Sequence, residues 1–234
     1  MLVAVHQPTY LPWLGFLHKL LQSDVFVILD DVQIQKTGSS WVNRTQILRS
    51  GKRQWLTIPI NRPSGVQQIR AVKIAEDGKW RKSHRGIIHE SYENAPFFNQ
   101  LSGFLDQIYE CQHESLLEFN LRGIHLIIDL LGLSVAQKFV MASSFAVETE
   151  GTARLIDLVK CAGGDSYLCG SGSSGYLEPD SFKKASVKLV WQDFVEEKRS
   201  QLETSTFVPG LSVLDSLLVL GPSQTREYLY GVKS

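Results

Sequence analysis

Residues 2–31 read Leu2-Val3-Ala4-Val5-His6-Gln7-Pro8-Thr9-Tyr10-Leu11-Pro12-Trp13-Leu14-Gly15-Phe16-Leu17-His18-Lys19-Leu20-Leu21-Gln22-Ser23-Asp24-Val25-Phe26-Val27-Ile28-Leu29-Asp30-Asp31. Residues 2–5 and 25–29 are short, uninterrupted apolar runs, as expected for strands covered on both faces in a parallel sheet. Between them Trp13, Leu14, Phe16, Leu17, Leu20 and Leu21 fall at helical spacing. Pro12 suits the first turn of that helix. The segment therefore predicts strand, loop, helix, strand, with a right-handed crossover as the default.

The same alternation continues outward. Apolar runs predict strands at 54–60, 69–74, 137–142, 166–169 and 186–191, with Pro59 confining the first to an edge or an end. Helical spacing predicts helices over 80–92, 96–109, 114–131, 152–162 and 211–220, with a shorter one near Thr225. The clearest is 114–131, where Leu117, Leu121, Ile124, Ile128 and Leu131 make one stripe and Gly132 closes the helix. Strands alternating with helices predict a single α/β domain over 1–234, with a mostly parallel, Rossmann-like sheet sandwiched by helices. Residues 79–132 are read as a mainly helical, cap-like insertion.

Composition bounds the rest. The 234 residues hold 43% apolar and 21% charged side chains, which excludes disorder and low complexity. The chain is long enough to bury a core without disulfide or metal staples. Cys111, Cys161 and Cys169 form no C-x-x-C, so ordinary buried thiols in a reducing compartment are expected. The N-terminal run is too short for a signal peptide, and Asp30 and Asp129 interrupt the longest apolar stretches. A cytoplasmic protein without a membrane span is expected.

Formal charge is zero, from 24 basic and 24 acidic residues. That zero conceals segregation. Residues 36–85 hold twelve Lys/Arg and two acids, leaving twelve basic and 22 acidic residues elsewhere. General nucleic-acid binding needs a net basic face, so overall neutrality argues against it. A basic segment focused on a phosphorylated small molecule is the preferred reading. The structure tests it by whether these side chains share a face.

In an open parallel sheet, ligands bind beyond the carboxyl ends of the strands. The first strand runs into His6-Gln7-Pro8-Thr9-Tyr10, where two nearby prolines fix the backbone and plain turn residues would suffice for a turn alone. His6, Gln7 and Tyr10 are therefore candidate substrate contacts, against the alternative of a rigid turn. The second strand ends in Asp30-Asp31, with Gln33 close behind. Adjacent residues of a strand face opposite ways, so one carboxylate is expected to face the site, and Asp31 is preferred.

Ser144 follows another predicted strand, and Thr152 with Arg154 opens the next helix, a phosphate seat or an ordinary N-cap. The glycine-rich stretch from Gly170 to Tyr176 follows a further strand and lets backbone amides approach a phosphate, or is a surface loop. Lys82, His84 and Arg85 share a predicted basic helix. His84 and His89 are five apart with no H-E-x-x-H, so no metal site is assigned, and no cofactor is identified. No G-x-S-x-G elbow supports hydrolase chemistry.

The run His6-Gln7-Pro8 to Tyr10-Leu11-Pro12-Trp13-x-Gly15-Phe16, with Ser23-Asp24-Val25-Phe26-Val27-x-Leu29-Asp30-Asp31-Val32-Gln33, resembles the WbqC-like family of bacteria. So do Trp41-Val42-Asn43-Arg44, Trp55-Leu56-Thr57-Ile58-Pro59, Tyr167-Leu168-x-Gly170 with Tyr176-Leu177, and the stretch from Phe207 to Asp215. Gly38-Ser39-Ser40 before Trp41 is a longer approach than the family pattern. The resemblance spans nearly the whole chain. It implies a part in O-antigen or other surface-polysaccharide synthesis, and suggests N-acyl or N-aminoacyl (glycyl) transfer to a nucleotide-linked amino sugar.

On that reading His6 and then His84 are candidate bases. Asn43, Arg44, Lys82 and Arg85 hold a diphosphate or activated donor, and Asp31 takes ribose or sugar hydroxyls, or a metal if ATP is used. A looser similarity links the strand, proline loop and glycine-bearing helix to adenylyltransferases and ligases of the HIGH-motif type. Here Leu14-Gly15-Phe16 stands where that motif has histidines flanking the glycine. The alternatives are a nucleotidyl- or glycosyltransferase using the same strand-end site, and a non-catalytic protein of a polysaccharide assembly complex.

Overall fold

The opening segment folds as strand β1 (Leu2–His6), helix α1 (Leu14–Gln22) and strand β2 (Val25–Ile28). The structure, a computed structural model, describes residues 1–35, 40–61, 65–75, 78–110, 113–135, 138–170 and 177–231. A hairpin follows, β3 (Arg44–Arg49) and β4 (Lys52–Thr57), and then three helices, α2 (Trp80–Tyr92), α3 (Ser102–Tyr109) and α4 (Leu116–Leu130). The chain returns to the main sheet as β5 (Phe139–Met141), α5 (Gly151–Cys161), β6 (Ser166–Gly170), α6 (Pro179–Lys184) and β7 (Lys188–Gln192). Helix α7 (Val213–Gly231) finishes it, kinked where Gly221 takes φ +81°. Glycine is required at the kink, because a Cβ on Gly221 would lie 2.6 Å from the Phe97 ring.

The five main strands lie in the order β5-β2-β1-β6-β7, and every pairing is parallel. Numbered among themselves by chain order they run 3-2-1-4-5, a Rossmann-like arrangement that reverses direction between β1 and β6. Successive side chains serve opposite faces. Ala4, Phe26, Ile28 and Leu168 join a large core with α1, α7, the hairpin and α2–α4. Val3, Val5, Val27, Tyr167 and Cys169 join a smaller core beneath α5 and α6.

Some elements differ from their sequence reading. Residues 69–74 are not a strand. Ile69–Ala71 forms a 3-10 turn, and Ile74 and Lys73 make only isolated bridges to Ile60 and Ser115. Residues 44–49 are a strand although their pattern carries four polar side chains, because β4 pairs with them residue by residue. The expected helix over 96–109 begins only at Ser102. Helix α6, six residues long, was not legible as a periodic stripe. Among the described cysteines Cys169 is buried, but Cys161 is exposed, which corrects the expectation of buried thiols throughout. Among the described residues no helix is long and apolar enough to cross a membrane.

Three polar residues around α1 have structural roles. The Asp24 carboxylate accepts the Leu2 amide at 2.7 Å, anchoring the start of β1. The buried Ser23 hydroxyl donates to the Leu20 carbonyl. The Lys138 ammonium donates to the carbonyls of Leu21 and Ser23 at 3.2 and 2.6 Å, answering the helix C-terminus with a cation.

Candidate functional site

The carboxyl ends of β1, β2, β5 and β6 open on the same edge of the sheet, and the reversal of strand order falls between β1 and β6. His6 is the last residue of β1. Its side chain faces α1, 5.0 Å from the Phe16 ring and 6.4 Å from Phe26. The Nδ1 atom lies 2.8 Å from the Gln7 carbonyl. A carbonyl only accepts, so Nδ1 carries the proton and the lone pair is on Nε2. Burial, reinforced by the charge of Lys19, lowers the imidazole pKa to about 4, against the opposing Gln7 hydrogen bond. His6 is a neutral imidazole of fixed tautomer.

The loop after β1 is held on several sides. Leu11 sits buried at φ +41°, a conformation costly for a branched side chain. Its carbonyl accepts the Thr45 hydroxyl, and the Tyr10 amide donates to the Trp41 carbonyl. Asn120 of α4, fully buried, donates to the carbonyls of Pro8 at 2.9 Å and Val42 at 2.6 Å. The Trp13 indole packs against the first turn of α1 at Gly15. A Cβ on Gly15 would stand 2.3 Å from that ring, so glycine is required there for packing.

At the end of β2 the two acids have different partners. Asp30 is buried and bridges strands, accepting the Ser143 amide at 3.0 Å and its hydroxyl at 2.6 Å. Asp31 pairs with Arg154 from the first turn of α5, Nη2 to Oδ2, at 2.7 Å. Its second oxygen, Oδ1, is buried with no hydrogen bond among the described residues. Arg154 also donates to the Val147 carbonyl at 2.6 Å. Thr152 does not cap α5. Glu150 is the N-cap without a side-chain bond, and the Thr152 hydroxyl accepts the Glu178 amide. Ser144 is exposed, its hydroxyl turned to the Met141 carbonyl. Gly170 ends β6 at this edge; Tyr176 lies outside the described residues.

The remaining candidates stand elsewhere. Asn43 is buried in the hairpin layer and donates to the Ile58 carbonyl. Arg44 stacks 4.0 Å over the Trp55 ring, and Gln33 is exposed beside Gln68. His84 is enclosed, 5% exposed, with both ring nitrogens engaged. Its Nε2 faces the Thr57 carbonyl at 3.1 Å and must donate, so Nδ1 accepts from the Tyr10 hydroxyl at 3.1 Å. Tyr10 has thus spent its proton, and the Tyr109 hydroxyl donates to it at 2.5 Å. Burial lowers the His84 pKa to about 4. The proton order of this chain, Tyr109 to Tyr10 to His84 to Thr57, follows from its carbonyl end.

Tyr109 carries the chain to the wall of a groove of about 590 Å³ between α2 and α3, lined also by Arg81, Lys82, Arg85 and Phe98. Of the twelve basic residues of 36–85, these three converge, and three members of the segment form ion pairs with acids. Arg49 pairs with Glu90, Lys73 with Glu114, and Arg85 itself with Asp106. Three of the twelve bases thus meet acids of α2, α3 and the turn before α4, while Arg44 stacks on Trp55 and Arg53 donates to Gln46 and the Pro209 carbonyl.

Sequence reasoning missed Lys19, Asn120, Tyr109 and the buried ion pair of Arg199 with Asp215, which measures 2.5 Å. A signal existed for Lys19. Helix α1 is apolar nearly all round, so a lysine within it is buried by necessity. The other three are long-range partnerships with no local pattern. Among the described residues, no group of three or more His, Cys, Asp or Glu is placed to hold a metal ion.

Comparison with known proteins bears on the whole chain. The model of the WbqC-like protein family matches residues 7–227. The chain is 30% identical to "Uncharacterized protein Rv1507c" of Mycobacterium tuberculosis (strain ATCC 25618 / H37Rv) over 230 residues, covering 97% of this chain and 96% of that one. No solved structure matches. Apart from His6, which immediately precedes it, the quoted motifs lie within one match from the loop after β1 to α7, and the chain belongs to the WbqC-like protein family.

Proposed function

We propose that this protein is a cytoplasmic transferase of surface-polysaccharide precursor synthesis, moving an acyl or aminoacyl group, such as glycyl, onto the amine of a nucleotide-linked amino sugar. The observation that carries the reading is His6: a neutral imidazole at the switch-point end of β1, its Nδ1–H bound to Gln7 and its lone pair left on Nε2. An amine that attacks an activated acyl group must shed a proton as the new C–N bond forms. A neutral, oriented imidazole accepts that proton.

The surroundings suit a phosphorylated, hydroxyl-rich substrate. Asp31 keeps a buried oxygen without a hydrogen bond among the described residues, available to a sugar or ribose hydroxyl. Arg154 holds the other oxygen and so fixes its direction. Arg81 and Lys82 supply positive charge along the α2/α3 groove beside the Arg85–Asp106 pair, and a donor of mixed apolar and anionic character suits that lining. His84, closed into the core by two hydrogen bonds, positions Tyr10 and the β1 loop and takes no proton from substrate in this scheme.

The test is product analysis. The protein is incubated with a uridine-diphosphate amino sugar and an activated acyl or glycyl donor, and the sugar is weighed by mass spectrometry. The expected result is a mass gain equal to one acyl or glycyl group, lost in His6→Ala with the fold retained. Equal product with His6→Ala contradicts the role given to His6; unchanged sugar across the donor classes contradicts the transferase.

A further inference from the structure

The groove between α2 and α3 has two unlike ends. The Arg81 guanidinium donates to the Tyr109 carbonyl at 3.4 Å, so the start of α2 lies beside the end of α3. At the other end the His89 ring stands edge-on to Phe98, with 5.3 Å between centroids, beside the turn before α3. Arg81, Lys82, Arg85, Gly86 and His89 recur at three- and four-residue intervals and share one face of α2. That face runs about 12 Å along the helix, from a cationic end to an aromatic one. No carboxylate stands among the described lining residues.

Gly86 lies in the interior of α2 with an ordinary helical backbone. Glycine there is less favourable than alanine, so a reason for it is needed. Packing does not supply one. A Cβ on Gly86 would meet no atom within 4 Å, whereas at Gly15 and Gly221 it would run into a ring. What the missing side chain leaves open is the middle of the groove.

We propose that this groove seats the acyl donor as an apolar arm with an anionic head. The head meets Arg81 and Lys82, the arm crosses Gly86 toward Leu105 and Phe98, and Gly86 sets how bulky an arm is accepted. The proposal rests on the acyl-transfer reading above and narrows it, since a glycyl group has no arm to lay along the groove. The orientation follows from Tyr109 at the cationic end, whose hydroxyl donates to that of Tyr10 in the loop after β1. The head is thus at the end of the groove joined to that loop.

The experiment measures binding of octyl phosphate and of inorganic phosphate by calorimetry to the wild-type chain, Gly86→Leu, Gly86→Ala, Lys82→Met and Gly103→Leu, with thermal unfolding of each. Gly103 of α3 is equally open but does not line the groove, so it controls for the helix effect alone. The seat predicts that wild type binds octyl phosphate about tenfold or more tighter than inorganic phosphate. Gly86→Leu should lose that advantage with a melting point at or above wild type, Lys82→Met should weaken both probes, and Gly103→Leu should bind as wild type does. Equal binding of octyl phosphate by wild type and Gly86→Leu overturns the seat. A melting point well below wild type in Gly86→Ala shows that the fold itself needs the glycine, and also overturns it. Product formed from a glycyl donor, with no octyl phosphate bound, overturns the seat and leaves the transferase standing. Octyl phosphate bound as described, with no product from any donor class, overturns the transferase and with it the donor role of the groove.

Discussion

Arg154 Nη2 lies 2.7 Å from Asp31 Oδ2, tying the first turn of α5 to the end of β2. Both side chains are mostly withdrawn from water, at 16% and 12% exposure. The carboxylate and the guanidinium that the sequence offers separately as substrate ligands are thus one unit. Removing the cation leaves a part-buried carboxylate without its partner. We expect Arg154→Met to cost about 3 kcal/mol, and the added change Asp31→Asn to restore roughly half of it by removing the stranded charge. Urea unfolding of the two single variants and the double variant measures the coupling, and simple additivity would contradict the pairing.

His6 and His84 give the fold a defined acid sensitivity. Burial is the main cause in both, and both are lowered from 6.5 to about 4. Above pH 6.5 neither state binds the proton, so the full stability is present. Between pH 6.5 and about 4 the unfolded chain takes up protons that the native one refuses, and stability falls as pH falls. The loss amounts to about 3 kcal/mol for each histidine once pH is well below 4. Proton NMR should show no titration of either ring above pH 5; a step near 6.5 for either contradicts its burial.

Asn120 is expected to behave as a hinge pin of the β1 loop. Its amide serves Pro8 and Val42 from a side chain 1% exposed. Asn120→Ala strands two buried carbonyls, at a cost of about 2–4 kcal/mol by chemical unfolding. A loss under 1 kcal/mol would show that water replaces the amide there.

Gly15 tests the packing of Trp13. A methyl group at Gly15 collides with the indole, so Gly15→Ala should destabilise by about 1–3 kcal/mol. In a Trp13→Leu background the same change should be neutral or stabilising by up to about 1 kcal/mol, since alanine is the better helix former. Equal penalties in both backgrounds would mean that the indole is not what demands glycine.

The sheet was legible because its strands are short apolar runs and α1 carries a stripe, signals that act over a few residues. Residues 69–74 do not form a strand because their apolar side chains are buried equally well by a 3-10 turn over Ile69–Ala71 and the extended residues after it, with Ile69, Val72 and Ile74 all in the core. The candidate site was legible in place more than in partnership. His6, Asp31, Arg154 and Gly170 do lie at or beside the carboxyl edge, as strand ends dictate. That Asp30 would clamp Ser143, or His84 satisfy Tyr10, depends on contacts between residues 113 and 74 positions apart. The charge segregation of residues 36–85 is a property of the chain that folding answers in part, since Glu90, Glu114 and Asp106 return to meet Arg49, Lys73 and Arg85.

The proposed transfer requires that the crevice between β1 and β6 receive a phosphorylated sugar beside a neutral His6. A crystal structure with a uridine-diphosphate amino sugar tests it most directly. The expected result is the sugar amine within hydrogen-bond distance of His6 Nε2 and the diphosphate at the β1/β6 edge. A nucleotide sugar bound in the α2/α3 groove alone, with His6 untouched, would contradict it.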